Sequence, residues 1–173
     1  IVKRLINGSG SAPAIPVVVG ISATVERFNA AMTAAKVEGR TNLPNVVVDP
    51  AKVQEPTTYY VRESGVGQAI LVKTQSNQPI KVGVVGLGVG TLAGYARKGD
   101  VYRFYEINPQ VIDAAQKHFT FLSNSPATIE YVLGDARLQL EQEPNQQFDV
   151  LVIDAFSGDS VPIHLLSKEA FTH

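Results

Sequence analysis

Three carboxylates and three glycines carry the chemistry this chain offers. Gly86, Gly88 and Gly90 alternate in Val84-Val-Gly-Leu-Gly-Val-Gly90-Thr91, where an apolar run gives way to small residues. Glu106 ends the next apolar run, Asp135 follows the third in Gly134-Asp135-Ala136, and Asp154 ends the fourth, Val150-Leu-Val-Ile153. Glycines at the mouth of a buried strand let the backbone approach a ligand closely. A carboxylate at the end of the following strand can accept from both ribose hydroxyls. Asp135, with Ala136 beside it, is placed to accept from an exocyclic adenine amine. Asp154, at the mouth of a strand that must be buried, is partly desolvated, which raises its pKa and suits a proton acceptor. Each has a plainer alternative: a tight turn for the glycines, a solvated strand end for Glu106, a helix N-cap for Asp135 and a loop cap for Asp154. A pyrophosphate loop would want glycine at its sixth position, which here is Thr91, so a dinucleotide is not expected.

These residues need strands that all end on one side of a sheet. The apolar runs predict strands over 80–86, 101–106, 129–133 and 148–154. Helices are predicted over 90–98, 109–119 and 136–142, with a last one from about Pro162. Ser64 to Thr74 reads as a short helix. Upstream, Ile15 to Ile21 is a β-branched run with the character of a buried strand, Thr24 can cap a helix to about Val37, and Asn45 to Asp49 reads as a further strand. Asp49 to Pro56 has the composition of a linker. Strand and helix in alternation predict a doubly wound parallel sheet, the Rossmann-like α/β class, with one unit over 1–54 and another over 55–173.

Composition narrows the function classes. With 45% apolar and 18% charged residues the chain reads as an ordinary globular domain. A net charge of −1 argues against a broad nucleic-acid footprint, and the absence of cysteine excludes disulfides, thiolate metal sites and cysteine nucleophiles. No secretory signal opens the chain and no apolar stretch is long enough to span a bilayer, so a cytoplasmic setting is expected. Both ends read as mid-domain, suggesting a C-terminally truncated excerpt. A homodimer is one assembly this reading allows.

Residues 56–173 resemble the spermidine synthase-like family, a branch of the class I S-adenosylmethionine-dependent methyltransferase fold. The resemblance rests on Pro56-Thr-Thr-Tyr-Tyr60, Glu63-Ser-Gly-Val-Gly67, the Gly86–Thr91 loop, Val101-Tyr-Arg-Phe-Tyr-Glu-Ile-Asn-Pro109, Gly134-Asp-Ala-Arg137 and Asp154-Ala-Phe-Ser-Gly-Asp-Ser-Val-Pro162. It implies an aminopropyltransferase of polyamine biosynthesis. An amine such as putrescine would attack decarboxylated S-adenosylmethionine, a co-substrate, and no metal would be needed. By the same resemblance Gly86, Gly88, Gly90, Glu106, Asp135 and Ala136 hold the nucleoside and Asp154 accepts the amine proton, while Tyr60 and Asp159 reach the amine substrate. Two positions depart from the pattern. Val89 stands where spermidine synthases carry an aspartate for the donor's amine, and Val84 stands where methyltransferases often carry an acid. A methyltransferase using S-adenosylmethionine and a non-catalytic nucleoside-binding remnant are therefore the rival readings. Residues 1–54 instead resemble a superfamily 2 helicase segment of type III restriction enzymes, in Pro16 to Phe28 with Ser22-Ala-Thr24 and in Asn42 to Gln54. Without a Walker A loop they cannot assemble an ATPase, and a packing role beside the main sheet is the reading favoured here.

Of the other polar residues, His118 and His164 lack partners at metal-ligand spacing and read as surface histidines. The paired Tyr59 and Tyr60 fit a core position equally well. Lys81, Arg97, Lys98 and Arg103 read as a solvated basic face.

Overall fold

A computed structural model describes residues 2–3, 17–19, 54–156 and 160–171. Six strands form one sheet: β1 (Val2–Lys3), β2 (Val17–Val19), β3 (Lys81–Val85), β4 (Val101–Glu106), β5 (Thr128–Leu133) and β6 (Val150–Ile153), in the order β1-β2-β6-β3-β4-β5. All neighbours are parallel except β1 and β2. The chain winds outward from β3 through β4 to β5, then returns to β6 on the other side of β3. This is the doubly wound, Rossmann-like α/β fold expected from the alternation of elements. Its winding reverses between β3 and β6, where the carboxyl ends of adjacent strands open a crevice.

Alternation along each strand divides the core into two layers. Val82, Val84, Tyr102, Phe104, Val150 and Val152 face one side, packed with Ile70 of helix α1 (Gly65–Thr74) and Ala115 of helix α2 (Pro109–His118). Val85, Tyr105 and Ile153 face the other, with Phe148 before β6, Ala136 of helix α3 (Ala136–Gln142) and Leu165. Each large apolar side chain removed from water in this way stabilises the fold by about 1.5–3 kcal/mol. Local signals start the helices. Ser64 accepts from the Gly67 N–H, Asn108 accepts from Gln110 ahead of Pro109, and Asp135 accepts from Leu138.

Two predicted helices take a different form. The segment over 90–98 is a single 3₁₀ stretch, Thr91–Tyr95. The Arg97 N–H donates to the Asp100 carboxylate at 2.9 Å instead of continuing a helix, and the Tyr95 hydroxyl donates to the Tyr60 carbonyl. The helix expected from Pro162 is two 3₁₀ turns, Ile163–Leu165 and Glu169–Phe171. There the His164 carbonyl accepts from Arg137 at 3.0 Å, not from a following helical N–H.

The basic face also resolves differently. Arg97 is paired with the fully buried Asp100, and Arg103 with Glu130 and Glu143, so neither is a freely solvated charge. Upstream, the strand expected near 15–21 is present as β2, parallel to β6 with Val18 opposite Val152. It extends the sheet that holds the glycine loop. The helix over 25–37, the strand over 45–49 and the rest of the helicase-like segment lie outside the described residues, as does Asp159.

Candidate functional site

The site is built on the carboxyl ends of β3, β4, β5 and β6. Beyond β3 the chain must turn sharply without crowding its neighbour. Gly86 has φ +95°, and a Cβ there would sit 2.7 Å from the Asp154 carbonyl oxygen, so only glycine lets the ends of β3 and β6 lie side by side. The Gly86 N–H donates to the Tyr105 carbonyl at 2.8 Å, which keeps the loop in register with β4. Gly88 has φ +55° with nothing within 4 Å of its Cβ position, so its backbone borders open space. Gly90 supplies the left-handed residue that starts the following 3₁₀ stretch.

Glu106 is buried at the end of β4. Its Oε2 accepts from the Leu87 N–H at 3.0 Å and its Oε1 from the Asn108 N–H at 2.9 Å. The carboxylate thus ties the glycine loop to the start of α2. An ionised carboxylate has about four lone-pair positions, so each oxygen retains one for a ligand. Asp135 begins α3 as its N-cap, with Oδ1 accepting from the Leu138 N–H at 3.1 Å and Oδ2 lying 3.1 Å from His164 Nε2. Burial pushes its carboxyl up, but the Leu138 N–H and His164 outweigh that and hold it below the usual aspartate value. Ala136 turns its methyl into the second core layer, leaving its backbone as the part a ligand can meet.

Asp154 differs from both. Its Oδ2 accepts from the Tyr60 hydroxyl, while Oδ1 is buried without a hydrogen-bond partner among the described residues. Burial pushes its carboxyl up to about 6, against the opposing effect of the Tyr60 bond. Burial and the neighbouring carboxylate push the Tyr60 hydroxyl far above the ordinary phenol value, so Tyr60 remains a donor. Tyr60 is delivered by the Thr58–Tyr60 turn, whose last carbonyl is braced by the Tyr95 hydroxyl from the far end of the glycine loop segment. Chemically, this is a fixed carboxylate with a raised pKa, one oxygen held and the other buried with an unused acceptor.

The structure therefore gathers Gly86, Gly88, Gly90, Glu106, Asp135, Ala136, Tyr60 and Asp154 along one end of the sheet. His164, expected at the surface, is exposed there, and its ring meets Asp135. Sequence reasoning also passed over Ile107, 68% exposed beside Glu106, and the exposed apolar side chains Leu133, Leu138 and Ile163 at or beyond the same strand ends. The available signal was position: apolar residues just past a strand terminus cannot be buried by its alternation. Among the described residues no cluster of three His, Asp or Glu side chains has metal-binding geometry, and no helix is long and apolar enough to cross a membrane.

No family model matches the chain. It is similar to the polyamine aminopropyltransferase of Vibrio vulnificus strain CMCP6, at 27% identity over 99 residues, covering 53% of this chain and 32% of that protein. Among solved structures it is similar to the spermidine synthase of Thermotoga maritima, at 27% identity and a TM-score of 0.39 over 53% of this chain and 32% of that one. It is also similar to an O-methyltransferase from Bacillus cereus in complex with SAH, at 21% identity and a TM-score of 0.41 over 79% of this chain and 56% of that one. The chain spans about a third of the length of the aminopropyltransferase it matches.

Proposed function

We propose that this chain is the nucleoside-binding and proton-accepting part of an aminopropyltransferase. It would take decarboxylated S-adenosylmethionine, or a related sulfonium nucleoside, and an amine. The observation that carries the reading is the half-buried Asp154 carboxylate at the winding reversal, with Oδ2 held by Tyr60 and Oδ1 unpartnered among the described residues. A buried, unmade acceptor is costly to the fold and gains a partner only from a donor that enters the crevice.

In this reading the remaining lone pairs of Glu106 take the ribose hydroxyls, Asp135 takes the adenine amine, and Ile107 lies against the base. The open backbone at Gly88 leaves room for the sulfonium arm. The amine nitrogen forms a bond to the propyl carbon as the carbon–sulfur bond breaks. That bond's electron pair passes to sulfur, giving neutral methylthioadenosine, and the proton lost by nitrogen goes to Asp154 Oδ1. With its pKa near 6 the carboxylate is mostly ionised at neutral pH and ready to accept. Alignment of the amine with the sulfonium supplies most of the remaining acceleration. Similarity to an aminopropyltransferase at 27% identity supports this over methyl transfer.

The non-catalytic nucleoside-binding reading is favoured by one observation: both Glu106 oxygens already accept backbone N–H bonds that hold the loop. Calorimetric titration of methylthioadenosine into the chain, beside Asp135→Ala, tests the shared part. Micromolar binding that disappears in the variant supports a nucleoside site, and conversion of putrescine with decarboxylated S-adenosylmethionine then separates catalysis from binding. A folded chain that binds no methylthioadenosine would end the transferase reading.

A further inference from the structure

His164 reaches Asp135 from a turn whose position does not depend on that contact. Arg137 Nη1 donates to the His164 carbonyl at 3.0 Å and to Ser167 Oγ at 3.2 Å, while its Nε donates to Glu141 at 2.8 Å. Leu165 and Val161 are buried on either side of the histidine. The backbone of residue 164 is therefore clamped to the first turns of α3, and the imidazole is held over the Asp135 carboxylate. Both side chains are substantially exposed, 49% for His164 and 29% for Asp135, so the pair contributes little to the stability of the fold.

Asp135, held below the usual aspartate value, is ionised at neutral pH and can only accept hydrogen bonds. Its contact with Nε2 then requires that nitrogen to carry the proton. In a neutral imidazole the other nitrogen, Nδ1, is left as an acceptor. Asp135 Oδ1 is already committed to the Leu138 N–H, so the carboxylate is fixed by a donor on each oxygen and cannot swing to present a different face.

We propose that His164 is a positioning residue for base recognition, locking Asp135 so that this end of the site selects a 6-amino purine nucleoside over its 6-oxo counterpart. A 6-amino group donates to the fixed carboxylate. A 6-oxo group would bring a third acceptor against Asp135 and lose the bond. Without the imidazole, Asp135 keeps its cap on α3 but its outer oxygen is free to reorient. The inference rests on the nucleoside reading of Asp135 given above.

The test is the ratio of affinities for 5′-methylthioadenosine and 5′-methylthioinosine, read by calorimetry on the wild-type chain, His164→Ala and His164→Gln. The wild type is expected to prefer the amino compound by on the order of tenfold or more, the worth of one satisfied against one unsatisfied buried hydrogen bond. His164→Ala should shrink that ratio several-fold at an unchanged melting temperature, because Arg137, Leu165 and Val161 still hold the turn. His164→Gln, whose amide can still donate to Asp135, should restore part of it. A merely structural histidine would change the melting temperature and leave the ratio alone. An unchanged ratio in His164→Ala, with methylthioadenosine still bound, overturns the inference while the nucleoside reading stands. No binding by the folded wild type overturns both.

Discussion

Two aspartates, Asp100 fully buried and Asp154 half-buried, sit at opposite ends of the same sheet, and the protein treats them in opposite ways. Asp100, just before β4, is fully buried and surrounded by donors. The Ile80 N–H and Arg97 Nη2 reach Oδ1 at 2.9 and 3.2 Å, and the Arg97 N–H and Nε reach Oδ2 at 2.9 and 3.2 Å. Among the described residues, Asp154, just after β6, has one donor, one oxygen without a partner and no counter-ion. The amino end also buries the Tyr102 hydroxyl without a partner, but a neutral phenol is far cheaper to strand than a carboxylate. The amino end of the sheet is thus finished by its own residues. The carboxyl end leaves Asp154 Oδ1 without a partner among the described residues.

The comparison is most directly broken at Asp100. Asp100→Asn replaces an oxygen that accepts from backbone and guanidinium with an amide that must turn donors towards donors. Removing one partner of a buried pair costs roughly 3–5 kcal/mol, and the partly exposed Arg97 puts the expectation near the lower figure. Urea unfolding at neutral pH measures it. A loss below about 1 kcal/mol, no more than an ordinary hydrogen bond, would mean the four donors do not act as a unit and that the amino end is not specially closed.

Asp154→Asn should move stability the other way. The folded-state pKa of about 6 lies above the usual carboxylate value of 3.8. Asp154 therefore opposes folding little below pH 4, progressively more between pH 4 and 6, and fully above pH 6. Two pKa units correspond to about 3 kcal/mol. An amide can keep the Tyr60 bond without the charge, so the variant should be more stable than wild type by about 1–3 kcal/mol at pH 8, with the curves converging near pH 4. Any turnover should vanish with the carboxylate. Equal stability at pH 8 would show that Asp154 is better solvated than its surroundings suggest, and the contrast with Asp100 would lapse.

What was legible in the sequence follows the same division. The strands over 81–85, 101–106, 128–133 and 150–153 and helices α2 and α3 could be read because runs rich in β-branched and aromatic residues and local caps such as Asn108-Pro109 specify them within a few residues. Their order placed the glycines and acids at one sheet end. The 3₁₀ form of Thr91–Tyr95 was not legible, because it depends on Tyr95 meeting a carbonyl 35 residues away and on Arg97 turning to Asp100. The contact between His164 and Asp135 was hidden likewise, since 29 residues separate them and Arg137, with the buried Leu165 and Val161, sets their approach. Glu106 shows a third limit. Its place was read correctly, but the backbone N–H groups on both oxygens come from a loop whose path no spacing rule gives. Local pattern set the elements, and long-range polar contacts set which lone pairs remain free.

The smallest expected effect sharpens the comparison most finely. Tyr60 holds one oxygen of Asp154, and that bond stabilises the ionised form, so it offsets part of the rise that burial imposes. Tyr60→Phe removes the hydroxyl and leaves the ring against Tyr59. The carboxylate then loses its one donor among the described residues, and its pKa should climb further above 6, by roughly half a unit to one unit for a single hydrogen bond to the charged form. Carboxyl-resolved NMR titration reads this directly and requires no turnover. Wild type and variant should differ in the position of the Asp154 titration while Asp135 stays where it was, since Tyr60 is not among its partners. A downward shift, or none, would mean that water or another donor already reaches Asp154. In that case the open oxygen is no longer reserved for an incoming amine, and the carboxyl end of the sheet would be as complete as the amino end.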